Sequence, residues 1–393
     1  MADKSVILSE RSESKNLSAL KIASIVGAVV AVVGIIFWIK QLSGGMVQTG
    51  MRNLDSWGLY ITCFMFFVGL SAGGLIISSI PKAFGIEGFC NISKIAVWTA
   101  ICCTVAAIGF VIVDMGGPQR IWELFVYSNL SSPLMWDIIV LMVYLILSII
   151  LLWAMYGEEK GRVSHTALRV LAVISLVTAV LVHSVTAWIF GLQPAHELWD
   201  TALLGPWFVS SALVCGTALV MVVVIALRAS GRIELEQANI VKMAKLLGAF
   251  ICVDLYFFGC DLLTSGFPQG AGAELVTMLT SGPLAGFFWV EVIGCIIAAI
   301  ICFVPSLRKN SLLVVAAVLA IIGIFCKRVQ LLVGGFQQPN IDMAIPNATF
   351  ATAPNATGAL IYWPTGIEWA VTIGVIGLAV ALLCFGLDRI AKK

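Results

Sequence analysis

The amino-acid sequence predicts an all-α polytopic membrane protein with ten transmembrane helices, and three observations support this. Of its 393 residues, 60% are apolar and only 11% are charged, and the mean hydropathy is +1.04. Soluble globular chains are about 45–50% apolar and about 25% charged. Ten stretches are apolar over about the 20 residues that a helix needs to cross a bilayer. Lysine and arginine, finally, concentrate in alternate connecting segments.

The apolar stretches are continuous, whereas the strands of a membrane barrel alternate apolar and polar residues over about ten positions. We therefore predict ten helical spans within a single integral membrane domain, residues 1–393. Spans 1 to 10 cover residues 20–39, 57–80, 95–113, 133–153, 168–190, 203–227, 246–264, 284–304, 311–333 and 366–387. Span 1 is longer than the apolar region of a secretory signal, so we expect it to be retained. The longest polar segments are an N-terminal tail, residues 1–19, and a loop, residues 334–364.

The distribution of positive charge predicts the orientation in the bilayer. All but five of the 23 lysine and arginine residues lie in the termini and in alternate loops on the same side. The exceptions are Lys40, Arg52 and Arg120 in the opposite loops, and Lys327 and Arg328 within span 9. The positive-inside rule therefore predicts that both termini are cytoplasmic and that the loops after spans 1, 3, 5, 7 and 9 face outward. The balanced net charge of +2 predicts no nucleic-acid partner; the expected environment is the lipid bilayer.

Ionisable side chains inside spans 7 to 9 form the first group of candidate functional residues. Each costs about 2.5–3.5 kcal/mol on insertion scales, so each requires a partner, a hydrated cavity or a function. Asp254 and Asp261 lie seven residues apart on one face of span 7, Glu291 lies in span 8, and Lys327 and Arg328 lie in span 9. Two interpretations remain open. Asp261, Glu291 and the two cations neutralise one another, or the five residues form a hydrated proton or ligand path.

The first half of the chain carries a second group. Asp114 ends span 3, Asp137 lies one turn into span 4, and His183 lies about two turns from the outer end of span 5. The turn Gly116-Gly-Pro118 should let Arg120 fold back and pair with Asp114.

Redox groups bound by this chain are not predicted. Two membrane haems need four axial histidines, and the sequence has three. The 11 cysteines include no Cys-x-x-Cys pair, so an iron–sulfur cluster or a zinc site of standard spacing is not expected. We therefore expect no haem, no iron–sulfur cluster and no metal site, and we interpret the cysteines as small apolar residues.

Several segments resemble, in the same order, the landmarks of one known family. They are Trp57-Gly-Leu-Tyr-Ile-Thr-Cys-Phe-Met-Phe-Phe-Val-Gly-Leu-Ser-Ala-Gly-Gly74, the turn 114–122, Ser132-Pro-Leu-Met-Trp136, the segment 182–193 and Thr201-Ala-Leu-Leu-Gly-Pro-Trp-Phe208. Tyr362-Trp-Pro-Thr-Gly-Ile-Glu368, at the start of span 10, extends the similarity. They resemble the NrfD/PsrC family, the quinone-interacting membrane subunits of the polysulfide reductase type.

The resemblance implies a haem-free subunit of a respiratory oxidoreductase in the bacterial cytoplasmic membrane. Such a subunit exchanges electrons between menaquinone or a related quinone and a ferredoxin-like iron–sulfur subunit on its outer face. That partner usually connects to a molybdopterin or multihaem catalytic subunit. Proton translocation is a further possibility. In this family context, Arg120, Gln193, Trp199 and Asp200 in the outward loops are expected to clamp the loops or dock the partner.

For the quinone itself, the resemblance implies a site between spans 2, 3 and 5, with His183, Tyr60 and Asp114 as ligands or proton relay. His183 occupies the place where the polysulfide reductase subunit has a tyrosine next to quinone. Imidazole titrates near neutral pH, so His183 is chemically suited to exchange a proton with a quinone oxygen. The alternatives are a core histidine with satisfied hydrogen bonds and, for Tyr60, an aromatic anchor at the membrane interface.

A weak internal repeat predicts the arrangement of the helices. Ser132-Pro-Leu precedes Trp136 and Asp137 in span 4, and Gly282-Pro-Leu precedes Trp289 and Glu291 in span 8. An even separation of four spans implies parallel repeats. We therefore predict two four-helix bundles, spans 2–5 and 6–9, flanked by spans 1 and 10.

Two functions of other classes fit the same helix count. A proton-coupled secondary transporter would also use parallel repeats and buried carboxylates, and broken helices would favour it. A passive membrane anchor would hold partner subunits without binding quinone.

Overall fold

All ten predicted spans are helices in the computed structural model, which describes residues 2–52, 55–84, 90–268, 270–337 and 362–391. No strand occurs among these residues. The ten long helices are α1 Ala2–Gly44, α2 Leu59–Phe84, α3 Cys90–Asp114, α4 Pro133–Glu159, α5 His165–Gly191, α6 Leu204–Ala229, α7 Gln237–Gly266, α8 Ala285–Phe303, α9 Asn310–Gln337 and α10 Gly366–Ile390. Each helix is continuous over its range, so the broken helices that would favour a transporter are not found in the described part of the chain.

The predicted polar tail and long loop differ from the structure. Residues 2–19 of the tail belong to α1. In the predicted loop 334–364, the first four residues extend α9, whereas residues 338–361 lie outside the described part. Gly335, in this helical extension, makes room for a tryptophan. A Cβ on Gly335 would lie 2.3 Å from the indole of Trp199.

Two short helices were not predicted. Glu123–Val126 lies between α3 and α4, and Ala271–Thr280 lies between α7 and α8. Both are far shorter than a membrane span, so a pattern of 20-residue apolar stretches does not reveal them.

The helix contacts agree with the predicted bundles. In the first, α2 contacts α3 and α5, and α4 contacts α3 and α5; in the second, α6, α7, α8 and α9 contact one another in the same cyclic manner. Helix α10 packs on α3 and carries α1 on its other side. The most apolar window of α2 is 94% buried and that of α1 only 17%. Helix α2 is therefore the centre of the fold and α1 is a peripheral helix.

The two bundles meet where α2 crosses α6, at a pair of glycines. A Cβ on Gly73 would lie 2.1 Å from the carbonyl oxygen of Ala212, and a Cβ on Gly216 would lie 2.4 Å from the Cα of Gly73. No side chain fits in either position, because real Cβ atoms do not approach other atoms so closely. Small residues of this kind let helix backbones touch in a membrane. The crossing brings α5 and α9 close to the same central region.

The C-terminal ends of α1, α3, α5, α7 and α9 lie at one end of the helices, which we call the distal face; the C-terminal end of α10 lies at the opposite end, which we call the terminal face. Two tryptophans near the distal face occupy corresponding positions in the repeat. Trp136 Nε1 donates to the carbonyl oxygen of Leu130 at 2.6 Å, and Trp289 Nε1 donates to that of Thr280 at 3.0 Å. Each indole thus fixes the loop that precedes its helix.

Candidate functional site

His183 is fully buried, and neither of its ring nitrogens has a hydrogen-bond partner among the described residues. It precedes the end of α5 at Gly191 by eight residues, which at 1.5 Å per residue is about 12 Å below the distal face. Buried polar atoms in proteins are nearly always hydrogen-bonded, and each unsatisfied one costs about 1–3 kcal/mol. No described side chain or backbone group therefore satisfies the imidazole of His183. A polar ligand or water would satisfy it.

Side chains and backbone from four helices surround this imidazole. A Cβ on Gly69 of α2 would lie 3.7 Å from His183 Nε2 and 3.1 Å from the Sγ of Cys215 of α6. The Phe208 ring of α6 meets the imidazole edge to face, with centroids 6.4 Å apart. Arg328 of α9 approaches the opposite part of Phe208. We call these five residues the His183 site. The prediction placed it between spans 2, 3 and 5; the surrounding helices are α2, α5, α6 and α9.

Arg328 is buried without contacting a carboxylate. Its Cζ lies 3.8 Å from the centroid of the Phe208 ring, and its Nη2 donates to Ser211 Oγ at 2.5 Å. It is 1% exposed, and its Nε has no hydrogen-bond partner in the described residues. No Asp or Glu of the described chain forms a salt bridge with it. Arg328 therefore makes no direct ion pair with Asp261 or Glu291, the two carboxylates predicted to neutralise it.

Lys327 points instead to two carboxylates of the second bundle. Its Nζ bonds to Asp254 Oδ2 of α7 and lies 3.3 Å from Glu291 Oε1 of α8. Gln330 Nε2 donates to Glu291 Oε2 at 2.7 Å, and Ser210 Oγ donates to Asp254 Oδ1 at 2.9 Å. We call Asp254, Glu291 and Lys327 the carboxylate–lysine group. All three are buried. The contact between Lys327 and Glu291 confirms the neutralisation predicted for these two residues, and Asp254 belongs to the same group.

Asp261 does not belong to this group. It is 7% exposed, it bonds to Thr201, and its Oδ1 has no hydrogen-bond partner among the described residues. It lies seven residues from Asp254, about 10 Å nearer the distal face. Lys327 pairs with Asp254 instead, so the predicted neutralisation of Asp261 is wrong.

Tyr60 and Asp114 form a separate cluster near the distal face. Tyr60 is buried and donates to Gln41 Oε1 at 2.5 Å; Gln41 Nε2 in turn donates to the carbonyl oxygen of Val113 at 3.0 Å. Asp114 Oδ1, next to Val113, has no partner in the described residues. Tyr60 precedes Gly69 of the His183 site by nine residues, about 13 Å along α2. The three residues predicted to bind quinone thus occupy two places. The hydrogen bond to Gln41 also argues against Tyr60 as a simple interfacial anchor.

Glu368 belongs to the same distal region and was not predicted as a site residue. It accepts hydrogen bonds from the Tyr362 hydroxyl at 2.5 Å, the Gly50 amide at 2.6 Å and the Thr365 amide at 2.9 Å. Thr365 and Glu368 form a capping box at the start of α10. Burial, and then the neighbouring Glu368 carboxylate, raise the pKa of Tyr362, so its hydroxyl stays protonated and donates. The three-residue spacing of Thr365 and Glu368 was the available sequence signal.

Asp55, before the start of α2, was also missed because it lies outside the apolar spans. It is 1% exposed, and neither carboxylate oxygen has a hydrogen-bond partner in the described residues. Burial raises the pKa of Asp55 from 3.8 to about 7.

The Arg120 loop differs from the prediction. Arg120 does not pair with Asp114; its Nε and Nη2 donate to the two carboxylate oxygens of Glu123, each at 2.9 Å. The turn Pro118–Arg120 and the short helix that begins at Glu123 bring residues three apart onto one side. The bidentate bond from Arg120 lowers the pKa of Glu123.

The loop after α5 is held against α9 by two side chains. Trp199 is buried and donates from Nε1 to the carbonyl oxygen of Leu331 at 2.8 Å, and His196 Nδ1 lies 2.8 Å from the carbonyl oxygen of Gly335. Trp199 therefore fits the loop-clamp prediction but offers no surface to a partner. Gln193 and Asp200 are exposed at the distal face. Gln193 Nε2 donates to the carbonyl oxygen of Ile189 at 2.8 Å, which continues α5 into the loop.

Described residues line two cavities that open near the distal face, and His183 lines neither of these two. An apolar slot of about 70 Å³ lies between α2, α8, α9 and the start of α10, with Thr62, Phe325, Val329 and Trp369 in its wall. A wider groove of about 540 Å³ lies between the loop after α3 and the start of α4, beside Arg120 and Tyr127. Among the described residues, no three His, Cys, Asp or Glu side chains are grouped so that they could hold a metal ion.

Comparison with known proteins relates these features to a family and to individual chains. The family profile described as Polysulphide reductase, NrfD, matches residues 47–340. A Halobacterium salinarum protein, named as the inferred membrane subunit of a dimethyl sulfoxide reductase, is 32% identical, over 92% of this chain and 88% of its own. A selenate reductase subunit of Mesobacillus selenatarsenatis is 29% identical, over 90% of each chain. The Hdr-like menaquinol oxidoreductase integral membrane subunit of Archaeoglobus fulgidus is 26% identical, over 92% of this chain and 91% of its own.

Proposed function

Because this chain belongs to the polysulphide reductase NrfD family, we propose that it is the quinone-reactive membrane subunit of a respiratory oxidoreductase complex. In this proposal it exchanges electrons between menaquinone or menaquinol and a ferredoxin-like iron–sulfur subunit at the distal face. A molybdopterin or multihaem subunit then completes the complex. The name of the Archaeoglobus relative, a menaquinol oxidoreductase subunit, supports menaquinone as the substrate. The charge distribution supports an outward distal face in a bacterial cytoplasmic membrane.

The observation that carries the proposal is the pair of unpartnered nitrogens on the fully buried His183. A quinone carbonyl is a hydrogen-bond acceptor, and a quinol hydroxyl is a donor. A neutral imidazole offers one donor and one acceptor, so it can bond to either form of the substrate. The Gly69 backbone and the Phe208 ring are apolar walls of the kind that a flat ring requires. Because neither cavity reaches His183, we infer that neighbouring side chains move when the substrate enters.

The remaining residues supply proton transfer and docking in this proposal. His183 holds or passes a proton at the substrate oxygen, and Tyr60 and Asp114 lie on the route to the distal face. Asp254, Glu291 and Lys327, with Arg328 nearby and Asp261 about 10 Å nearer the distal face, form a path through the second bundle in this proposal. Arg120, Gln193 and Asp200 belong to the distal loops that would contact the iron–sulfur subunit.

Replacing His183 with Ala tests the quinone site. We expect quinol-dependent reduction of the partner to be lost, while the complex still assembles, because the variant removes the only imidazole of the site. His165→Gln is the matched control, since His165 is exposed at the terminal face and pairs with Glu158 there. Turnover of His183→Ala equal to that of the control would contradict the proposal.

A separate experiment tests charge translocation. The purified complex is placed in liposomes and the membrane voltage is recorded during quinol turnover. A voltage that disappears in Asp254→Asn, with turnover retained, supports a proton path through the second bundle. Turnover without any voltage contradicts it. A complex that binds the iron–sulfur subunit but no quinone would identify a passive anchor instead.

A further inference from the structure

Arg328 is a charged side chain in the membrane interior. The proposed quinone reaction does not explain its contacts. Its hydrogen bond goes to the Ser211 hydroxyl, its guanidinium lies on the Phe208 ring, and its Nε has no partner in the described residues. An isolated charge at this depth costs about 2.5–3.5 kcal/mol on insertion scales. A guanidinium is also the group best suited to bind an anionic oxygen with several donors. Arg328 therefore has the chemistry of an anion-binding residue.

The charges around Arg328 balance only when Arg328 is counted together with Asp254, Glu291 and Lys327. Asp254 and Glu291 share the single ammonium of Lys327, so the carboxylate–lysine group has one excess negative charge when both carboxylates are ionised. Arg328 balances that charge without touching either carboxylate. At an effective dielectric constant of about 20, charges several ångströms apart still interact by a few kcal/mol. The protonation of Asp254 and Glu291 must therefore respond to any charge that binds next to Arg328.

The positions of the two adjacent cations explain how one helix serves two centres. Residues 327 and 328 point in directions about 100° apart around α9. Lys327 consequently reaches α7 and α8, whereas Arg328 reaches α6 and shares the Phe208 ring with His183. Arg328 thus lies at the boundary between the His183 site and the carboxylate–lysine group.

We propose that Arg328 is the counter-charge of the substrate oxygen at His183, and that negative charge arriving there makes the carboxylate–lysine group bind one proton. This inference rests on the proposed function. Reduction of a quinone to a quinol consumes two electrons and two protons. While an oxygen carries negative charge, Arg328 neutralises it and no longer balances Asp254 and Glu291, so one of these carboxylates takes a proton from water. When the oxygen has received its own proton, the group releases that proton again; quinol oxidation runs in reverse.

Other ionisable groups face the carboxylate–lysine group besides Arg328. They are the thiols of Cys215 on α6, Cys295 on α8 and Cys326 on α9. Glu291 Oε1 lies 3.3 Å from the Lys327 ammonium, and Gln330 Oε1 accepts no hydrogen bond from described residues. Because thiols buried beside carboxylates remain protonated, the carboxylates are the groups that take up the proton.

Binding of a quinol analogue tests the counter-charge. The probe is 2-heptyl-4-hydroxyquinoline N-oxide, whose N-oxide oxygen carries negative charge and whose fluorescence is quenched on binding to the purified complex. A charged hydrogen bond lost from a buried site lowers affinity about ten- to hundredfold. We expect that loss in Arg328→Gln and a smaller one in Arg328→Lys, which keeps the charge but not the planar fork. Affinity of Arg328→Gln within twofold of the unmodified complex would overturn the proposal.

Controls separate this inference from misfolding and from the proposed function. Arg232→Gln also removes a largely buried guanidinium, but at the terminal face, where Arg232 pairs with Asp388; its probe affinity should not change. If Arg328→Gln does not assemble, Ser211→Ala removes the hydroxyl that holds the guanidinium, and unchanged affinity there would count against the counter-charge. Probe binding that is insensitive to His183→Ala refutes the quinone site itself. Binding that needs His183 but not Arg328 refutes only the present inference.

Proton uptake tests the link to the second bundle. The probe is added to the complex in weakly buffered solution, and the pH change is read with an indicator dye. By linkage, we expect the unmodified complex to take up more protons per site, up to about one, than the Asp254→Asn/Glu291→Gln double variant does. Equal uptake at equal probe occupancy would overturn the coupling.

Discussion

Lys327→Met should be among the most destabilising single substitutions in this chain. The change leaves Asp254 and Glu291 buried without their shared cation. At 3.3 Å and an effective dielectric constant of about 20, the Lys327–Glu291 attraction alone is about 5 kcal/mol before desolvation is subtracted. Removing one partner of a buried ion pair generally costs about 3–5 kcal/mol, because the charge left behind is uncompensated. We expect a loss of that size.

The measurement is SDS-induced unfolding in mixed micelles, followed by tryptophan fluorescence, which gives a free energy for each variant. Adding Asp254→Asn to Lys327→Met should recover about 2–3 kcal/mol, since it removes one of the two unpaired charges. Lys94→Met is the matched control; Lys94 pairs with the exposed Glu159, and its loss should cost less than about 1 kcal/mol. A Lys327→Met variant no less stable than the Lys94→Met variant, or a double variant without recovery, would refute the electrostatic account of this group.

Three further predictions concern other parts of the fold. Asp55→Asn should stabilise the protein above pH 7 and have little effect near pH 4. The pKa of Asp55 is raised from 3.8 to about 7, so folding favours the protonated form. The native protein therefore loses stability as pH rises from 3.8 through 7, by at most about 4 kcal/mol. Unfolding curves of the unmodified protein and of Asp55→Asn at pH 4 and pH 8 check this, and the same pH dependence in both would contradict it. Gly216→Ala should cost about 2 kcal/mol or more, because its Cβ would lie 2.4 Å from the Gly73 Cα, whereas Gly286→Ala, with open space at its Cβ, should be neutral in the same unfolding assay. Arg120→Ala should leave the unfolding free energy unchanged, because its partner is the neighbouring Glu123 in an exposed loop; a large loss would mean that Arg120 also supports Asp114.

The ten helices could be predicted because each membrane span is formed by one continuous stretch of sequence. Each needs only length and apolar composition, and neither depends on what the helix contacts. The two bundles followed from one short repeat. The ends were less predictable: Gly334 and Gly335 resembled loop residues, whereas Gly335 is helical because Trp199 from a distant loop fills the space beside it.

The site was predicted by residue type, but its pairings could not be predicted. His183 and Lys327 stood out because ionisable groups are costly in a span, yet their partners depend on the rotation of each helix about its axis. Arg120 was assigned to Asp114 and pairs with Glu123, since the short helix after the turn was not visible in the sequence. Gln41 and Glu368, which organise the distal cluster, carry no signal beyond a capping box.

The internal repeat also allows the polar contacts of the two bundles to be compared. In the first, Asp137 of α4 accepts from Thr186 of α5 at 2.6 Å, and His183 lies one turn before Thr186. In the second, Glu291 of α8 accepts from Gln330 of α9, and Lys327 lies one turn before Gln330. His183 and Lys327 therefore hold corresponding positions.

The side chains at these two positions have opposite requirements. Lys327 has an amino group that two carboxylates of its own chain hold in the second bundle. His183 can be neutral, so it needs no counter-ion, and its nitrogens accept no bond from the described residues. Relative to these hydrogen bonds, the same place is thus an internally neutralised centre in the second bundle and, in the proposed function, a ligand-binding centre in the first. Exchanging the two side chains should abolish both properties, because a lysine at 183 would be placed to pair with Asp137, as Lys327 pairs with Glu291, and a histidine at 327 would leave one carboxylate unpaired.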